Sequence, residues 1–301
     1  MANEITEELL EKIRKFPERY RVIEQNPLEH YLDIRGDEVR FEPIVFKKDL
    51  ANNPQNKHMV ILDTETTGIK TSDEIIELAF VTITYNVENN CIVSIDKVFD
   101  KFREPVNNQI SDSITKITGI TAEMVKGKSL SYDDFKDCLP TDKYLIVAHN
   151  ASFDRKFVEK TFPELKGKPW ADSLTEVDWL SKGATKHSLE MLMYNIGLFY
   201  NAHRAVNDVL ALLAVLVRTR SLQELDMSAN NATLEIEIAV AFDSKDTVKQ
   251  YGFRWNNDNK TWKRLYKKLD TWNNDKATLM KSCNGFKLVS CKVQRADTRY
   301  A

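Results

Sequence analysis

The order in which extended and helical patterns follow one another is what most restricts the fold of this chain. Residues 59–63 form a short apolar run suited to a buried strand. Residues 74–85 and 91–99 are rich in Ile, Val and Thr and are joined through Glu88-Asn89-Asn90, which is hairpin chemistry. Residues 144–148 read as a further buried strand. Helical periodicity follows over 153–161, 188–196 and 205–218, the last with Val209, Leu212, Leu213 and Leu216 on one face. Strands first, with helices interleaved later, predict an α/β domain: a mixed sheet flanked by helices.

Polar stretches divide the chain into three regions. Asn52-Asn53-Pro54-Gln55-Asn56 reads as a linker, leaving 1–56 as an accessory segment with one helix over 4–15. Residues 227–231 read as a second linker, so that 57–226 form the main domain. Residues 232–301 then form a small α+β domain opening on a strand over 233–242, with Ile236, Ile238 and Val240 on one face. Charge divides along the same border. The whole chain is nearly balanced, with 43 Lys+Arg against 45 Asp+Glu, but residues 232–301 hold 14 basic against 8 acidic side chains. A basic unit beside an acidic body is read either as a polyanion-contacting module or as a solvated lysine-rich surface. Arg254, Trp255, Trp262, Lys263 and Arg264 sharpen the same choice. Interleaved aromatics and cations stack bases and neutralise phosphates, yet Phe253, Trp255 and Trp262 would equally serve as the core of a small domain.

Some classes are disfavoured. The four cysteines are scattered and contain no C-x-x-C pair, which argues against a disulfide framework or a structural zinc site and fits a reducing cytoplasm. No run of 18 apolar residues is present, so no membrane partner is expected, and the charged start shows no signal-peptide pattern.

The acids carry the chemistry. In Asp63-Thr64-Glu65 the two carboxylates are two residues apart on a strand and point to one face. Like charges held that close favour a cation between them, and hard oxygen ligands suit Mg²⁺ or Mn²⁺, although two solvated acids at a strand end have the same spelling. Asp154 falls in the first turn of a helix that Asn150 or Ser152 can cap, just past a central strand, where ligand sites of open α/β sheets gather. His203 and Asp208 are five residues apart, about 140° around a continuous helix. They converge only if His203 lies in the loop before a helix beginning near Ala205, with Asp208 one turn inside it.

Taken in this order, Asp63-Thr-Glu-Thr-Thr-Gly68, Ala148-His-Asn-Ala-Ser-Phe-Asp154 and His203-Arg-Ala-Val-Asn-Asp208 resemble the motifs of the DEDDh 3′→5′ exonucleases, which include polymerase proofreading subunits and ribonuclease T-like enzymes. Ile117-Thr-Gly-Ile-Thr121 matches the segment between the first and second motifs. The resemblance covers about residues 58–220. It implies a ribonuclease H-like mixed five-stranded sheet flanked by helices. It also implies that Asp63, Glu65, Asp154 and Asp208 hold two Mg²⁺ or Mn²⁺ ions about 4 Å apart for in-line phosphoryl displacement, with His203 as general base, a task that suits an imidazole. Arg204 stands where the sister family has tyrosine, which favours the histidine class. Thr66, Thr67 and Gly68, expected in a loop beside the terminal nucleotide, and Asn150, expected to position the second-motif loop, are the implied substrate-binding residues, although ordinary turn chemistry accounts for the same residues.

The expected substrate is a single-stranded 3′ end, DNA ahead of RNA, degraded to nucleoside monophosphates in repair or end trimming, with a polymerase or repair partner. An exoribonuclease, or a non-catalytic nucleic-acid-binding protein on the same fold, are the alternatives.

Overall fold

A computed structural model describes residues 24–25, 46–266 and 269–300; the helix expected over 4–15 lies outside them. Strands β1 (Glu24–Gln25), β2 (Asn56–Thr66), β3 (Ile75–Asn86), β4 (Cys91–Phe102), β5 (Tyr144–Ala148), β6 (Trp170–Asp172) and β7 (Leu198–Phe199) belong to the first part of the chain. The main sheet runs β4-β3-β2-β5-β6, antiparallel through the first three strands and parallel from β2 to β6. β1 pairs in parallel with β7. β2 starts earlier than its apolar run because Asn56, read above as linker, pairs with Asn86 and accepts a hydrogen bond from its amide at 3.0 Å.

Alternation along β2 shows how the sheet is covered. Met59 and Ile61 join the cluster built with Ala79, Val81 and helix α6 (Ala205–Arg218), whereas Val60 and Leu62 join the cluster of Phe80, Ile146, Phe157 and Val158, the last two from α3 (Ala151–Thr161). Both faces of β2 are therefore dry, and successive residues address opposite helical layers. Smaller helices complete the chain up to the C-terminal sheet: α1 (Asp112–Thr118), α2 (Ala122–Val125), α4 (Ser173–Glu176), α5 (Leu189–Asn195) and α7 (Leu222–Asn230). The segment around Ile117–Thr121 forms the junction of α1 and α2, with Gly119 left-handed at φ 71° and Thr121 capping α2 through Met124 N.

The linker expected over 227–231 is instead the last turn of α7. Leu222 and Leu225 are fully buried one turn apart and anchor that helix. Asp226 then accepts the Lys57 ammonium at 2.8 Å and the Tyr85 hydroxyl at 2.8 Å. Polar composition here reflects satisfied side chains, not a flexible connection.

The C-terminal sheet comprises β8 (Thr233–Ala239), β9 (Arg254–Asn256), β10 (Thr261–Tyr266) and β11 (Lys287–Gln294) in the order β11-β8-β10-β9, all antiparallel, with α8 (Lys245–Gln250) and α9 (Leu269–Ser282). Its core holds Ile236, Ile238, Val248, Phe253, Trp262, Tyr266 and Trp272. β8 stops at Ala239, short of residue 242, because Phe242–Ser244 turns as a short 3-10 segment into α8.

After β11 the chain returns to the main sheet. Trp170 N donates to Ala296 O at 2.8 Å, beside β6. Arg155, 1% exposed, donates to the carbonyls of Ala296, Asp297 and Arg299. Arg299, also 1% exposed, donates to Glu176 Oε1 at 3.0 Å and to the carbonyls of Ser228 and Asn231. Two buried guanidinium groups thus join the C-terminal unit to the main domain. Removing one partner of a buried charge pair costs about 3–5 kcal/mol. A chain ending at Gln294 is expected to melt roughly 10 °C below the full chain; equal melting temperatures by calorimetry would show that the tail bears no structural weight.

Candidate active site

β2 outruns its parallel partner: pairing with β5 ends at Ile61↔Val147. The freed strand edge is met by the first turn of α3, where Asp154 Oδ1 accepts Thr64 N at 3.0 Å and Thr64 Oγ1 at 2.8 Å. Thr64 has the parity of Val60 and Leu62 and so faces the α3 layer. Asp63 and Glu65 have the parity of Met59 and Ile61 and face the α6 layer. There they meet Asp208: one carboxylate oxygen each of Asp63, Glu65 and Asp208 lie within 4.8 Å of one another. Asp154, 2% exposed, stands outside this triplet, with one oxygen engaged by Thr64.

The start of α6 is built as the spacing requires. His203 lies before the helix in the left-handed region, at φ 65°, and Asp208 lies in the first turn. Asp208 accepts Arg204 N at 3.1 Å and the Tyr200 hydroxyl at 2.8 Å. No side chain of the α6 N-cap closes the helix. Glu77 does so from the sheet: fully buried and directly opposite Glu65, it accepts Ala205 N at 3.0 Å and the Arg204 guanidinium at 2.8 Å. The His203 imidazole is left exposed, 3.9 Å from Glu190 on α5.

Burial above all raises the four acids Asp63, Glu65, Asp154 and Asp208. Burial, then Asp154, Asp208 and Glu65, hold Asp63 well above the usual carboxylate range. Burial first, then Asp208, pushes Glu65 up to about 8. Burial carries Asp154 to about 7 although Thr64 pulls the other way, and Asp208 to about 6 against the Tyr200 hydrogen bond and His203. Among the described residues this is the one cluster of three or more acids, histidines or cysteines close enough to share an ion. An all-carboxylate donor set whose members cannot ionise together without compensating charge fits a hard divalent cation.

Of the remaining expected contacts, Thr67 and Gly68 lie in the loop after β2, and Thr66 does not. Thr66 is the last residue of β2, not a loop residue, because its ladder continues past a bulge to Ile75; its hydroxyl donates to Gly68 O at 2.6 Å. The Thr67 amide and hydroxyl both pair with the backbone of Glu74. Gly68 has Asp73 against it, since an added Cβ would lie 2.5 Å from Asp73 Oδ2. The turn from 66 to 74 is therefore closed by its own hydrogen bonds. Asn150 occupies the N-cap of α3 at φ 95°, but neither it nor Ser152 caps the helix through a side chain. Its amide donates to Asp172 at 2.9 Å, and its side chain accepts from Ser152.

In the C-terminal sheet, Trp262 is core, Lys263 pairs with Glu235 at 2.8 Å and Arg264 with Asp275 at 2.7 Å, while Arg254 and Trp255 stay exposed. Sequence reasoning missed Glu77 and Tyr200. Glu77 was signalled as an acid within the apolar run Ile75-Ile76-Glu77-Leu78; nothing around Tyr200 marked it.

A family model described as Exonuclease, of the RNase_T type, matches residues 60–216, and the chain belongs to this exonuclease family. Among curated proteins it is 29% identical over 189 residues to a DNA polymerase III PolC-type of Thermotoga petrophila (59% of this chain, 13% of the relative). To a PolC-type polymerase of Staphylococcus epidermidis it is 27% identical over 247 residues (79% of this chain, 16% of the relative). The chain thus spans less than a fifth of these relatives' length. Among solved structures, Exonuclease X in complex with 5′ overhanging duplex DNA aligns with a TM-score of 0.42 at 27% identity, covering 56% of this chain and 98% of that one. The nuclease domain of 3′hExo bound to rAMP aligns with a TM-score of 0.44 at 22% identity, covering 57% and 96%. Among the described residues no helix is long and apolar enough to cross a membrane.

The raised acids set a pH dependence. The folded protein keeps protons on Glu65, Asp154 and Asp208 up to about pH 6–8, whereas the unfolded chain releases them near pH 4. The stability they contribute is full below pH 4 and is lost as pH rises through those values. Divalent ion at a hundred times its dissociation constant adds about 2.7 kcal/mol, or roughly 5–10 °C. Mn²⁺ is expected to raise the melting temperature more at pH 8 than at pH 5.5, and Asp208→Asn to abolish that rise. A metal response that is flat with pH, or one surviving in the variant, would contradict the cluster as the ion site.

Proposed function

We propose that this chain is a 3′→5′ exonuclease that hydrolyses the terminal phosphodiester of single-stranded DNA, releasing nucleoside 5′-monophosphates. The observation that carries this reading is the convergence of Asp63, Glu65 and Asp208 within 4.8 Å, with Asp154 beside them and His203 exposed at the same helix start. The four acids would hold two Mg²⁺ or Mn²⁺ ions, whose charge offsets that of the carboxylates and of the phosphate undergoing displacement.

The chain's own residues do the rest. His203 takes the proton of the attacking water as the new oxygen–phosphorus bond forms and the bond to the 3′-oxygen of the preceding nucleotide breaks; solvent protonates that leaving oxygen. The Tyr200 hydroxyl and the Arg204 amide fix the carboxylate of Asp208. Glu77 fixes the start of α6, and with it the placing of His203. A DNA substrate is supported by the PolC-type relatives, which are named as DNA polymerases, and a polymerase or repair assembly is the partner this suggests. Four free cysteines suit a reducing, cytoplasmic setting.

The test is degradation of 3′- and 5′-labelled single-stranded DNA and RNA of matched sequence, with Mg²⁺ and with EDTA. Shortening from the 3′ end, faster on DNA, is expected with Mg²⁺ alone. Asp63→Asn should abolish it, and His203→Ala should lower kcat by about 10²–10⁴-fold. Release from the 5′ end, persistence in EDTA, or full activity in Asp63→Asn would overturn the reading.

A further inference from the structure

A cleft of about 650 Å³ runs along the edge strand β9, between the C-terminal sheet and the main domain. One wall carries Arg254, Trp255 and Lys263; the other carries Thr175, His187 and Tyr300. This volume is within the usual range for sites of small organic ligands, about 300–1,000 Å³. We propose that the cleft binds the polynucleotide a few residues upstream of the 3′ end, as a subsite for one stacked base and its flanking phosphates. The proposal rests on the nuclease reading above.

Arg254 and Lys263 are direct cross-strand partners and project from one face. Like charges in that arrangement repel. Glu235 offsets Lys263 at 2.8 Å, but the Arg254 guanidinium forms no hydrogen bond or ion pair among the described residues. An anion between the two cations resolves the arrangement, and a phosphodiester is such an anion. Asp258 is the unbridged acid on the cleft wall, since Glu176 there is bridged by Arg299 and Tyr300.

Trp255 also lines the cleft, at 49% exposure and on the other face of β9 from Arg254, although the core of its sheet is already filled by Phe253, Trp262, Tyr266 and Trp272. An edge-to-face contact with Trp262, centroids 5.3 Å apart at 67°, and a hydrogen bond from Nε1 to Asn257 hold the indole in place. A fixed, half-exposed indole at the strand edge, in a cleft that two cations also line, can stack a base with little regard to sequence.

The lip of the cleft is tied to the segments that carry the site residues. His187 on its lip accepts through its carbonyl from His149 Nε2 at 2.7 Å, and His149 directly precedes the loop that starts α3 and carries Asp154. Three residues further, Glu190 faces His203, a backbone span of about 10 Å at most. The Arg155 and Arg299 contacts hold the two walls together before any ligand arrives.

The test uses the full chain with Arg254→Ala/Trp255→Ala and, as a milder surface change, Arg254→Gln. Binding of a fluorescent single-stranded DNA of about twenty nucleotides is measured in EDTA over a salt series. Hydrolysis of the p-nitrophenyl ester of thymidine 5′-monophosphate, too small to reach the cleft, is measured with Mn²⁺. The double variant should bind about 10–100-fold more weakly, and Arg254→Gln should lower the slope of log affinity against log salt by about 0.7. Ester hydrolysis should equal wild type in both. Unchanged affinity and salt slope would overturn the proposal. A wild type that hydrolyses neither ester nor DNA would overturn the nuclease reading instead, and the binding arm would still test the cleft.

Discussion

Mutual repulsion of carboxylates at the end of β2 is the constraint on which the rest of the structure turns. Two unit charges 4.8 Å apart repel by about 3.5 kcal/mol at an effective dielectric constant of 20. Three such pairs approach roughly 10 kcal/mol, comparable with the whole stability of an ordinary domain. The triplet therefore cannot be fully ionised and uncompensated; protons or cations must share it. Holding the acids together in either state needs a scaffold that cannot relax away from them. β2 is dry on both faces, and α6 buries ten of its fourteen residues. Strand and helix are each fixed by far more apolar contact than the acids can disrupt.

A second carboxylate turns this scaffold into a precise start for α6. Glu77 is placed by the β2–β3 register opposite Glu65, where another acid ought only to worsen the repulsion. It is tolerated because it accepts from the Arg204 guanidinium and the Ala205 amide, while Asp100, pushed up to about 7 by burial and by Glu77, shares a hydrogen bond with it. Charge-assisted hydrogen bonds of this kind are among the stronger ones, and the first turn of a helix favours an anion. The ion pair is better understood as a device for position than for stability, since buried pairs offset their desolvation only in part.

How much of this was legible in the sequence depends on whether a residue's role is local. Asp63, Glu65, His203 and Asp208 were readable because strand parity and a helix start decide their directions within a few residues, and the meander of β2, β3 and β4 followed from apolar alternation and one hairpin signal. Thr64 was not readable. Its bonds to Asp154 exist because β5 ends two residues too early, a fact of register between distant segments. Residues 227–231 misled for the same reason: Asp226 and Ser228 look solvated until Lys57, Tyr85 and Arg299 reach them from elsewhere. In the C-terminal unit the aromatic and basic residues divided by strand pairing, which put Trp262 inside and left Trp255 at the edge.

The segment from 200 to 208 joins these levels. Tyr200, Arg204 and Asp208 are each anchored, to one another or to Glu77. Between them His203 is held at φ 65°, a conformation that costs a non-glycine residue on the order of 1 kcal/mol or more. Among the described residues its imidazole has only the weak exposed approach to Glu190 at 3.9 Å. Of the titratable groups here, it is thus the one whose backbone is over-determined and whose side chain is loose. The proposed reaction asks its base for that combination: a fixed pivot next to the acids, and an exposed ring that can accept a proton and pass it to water.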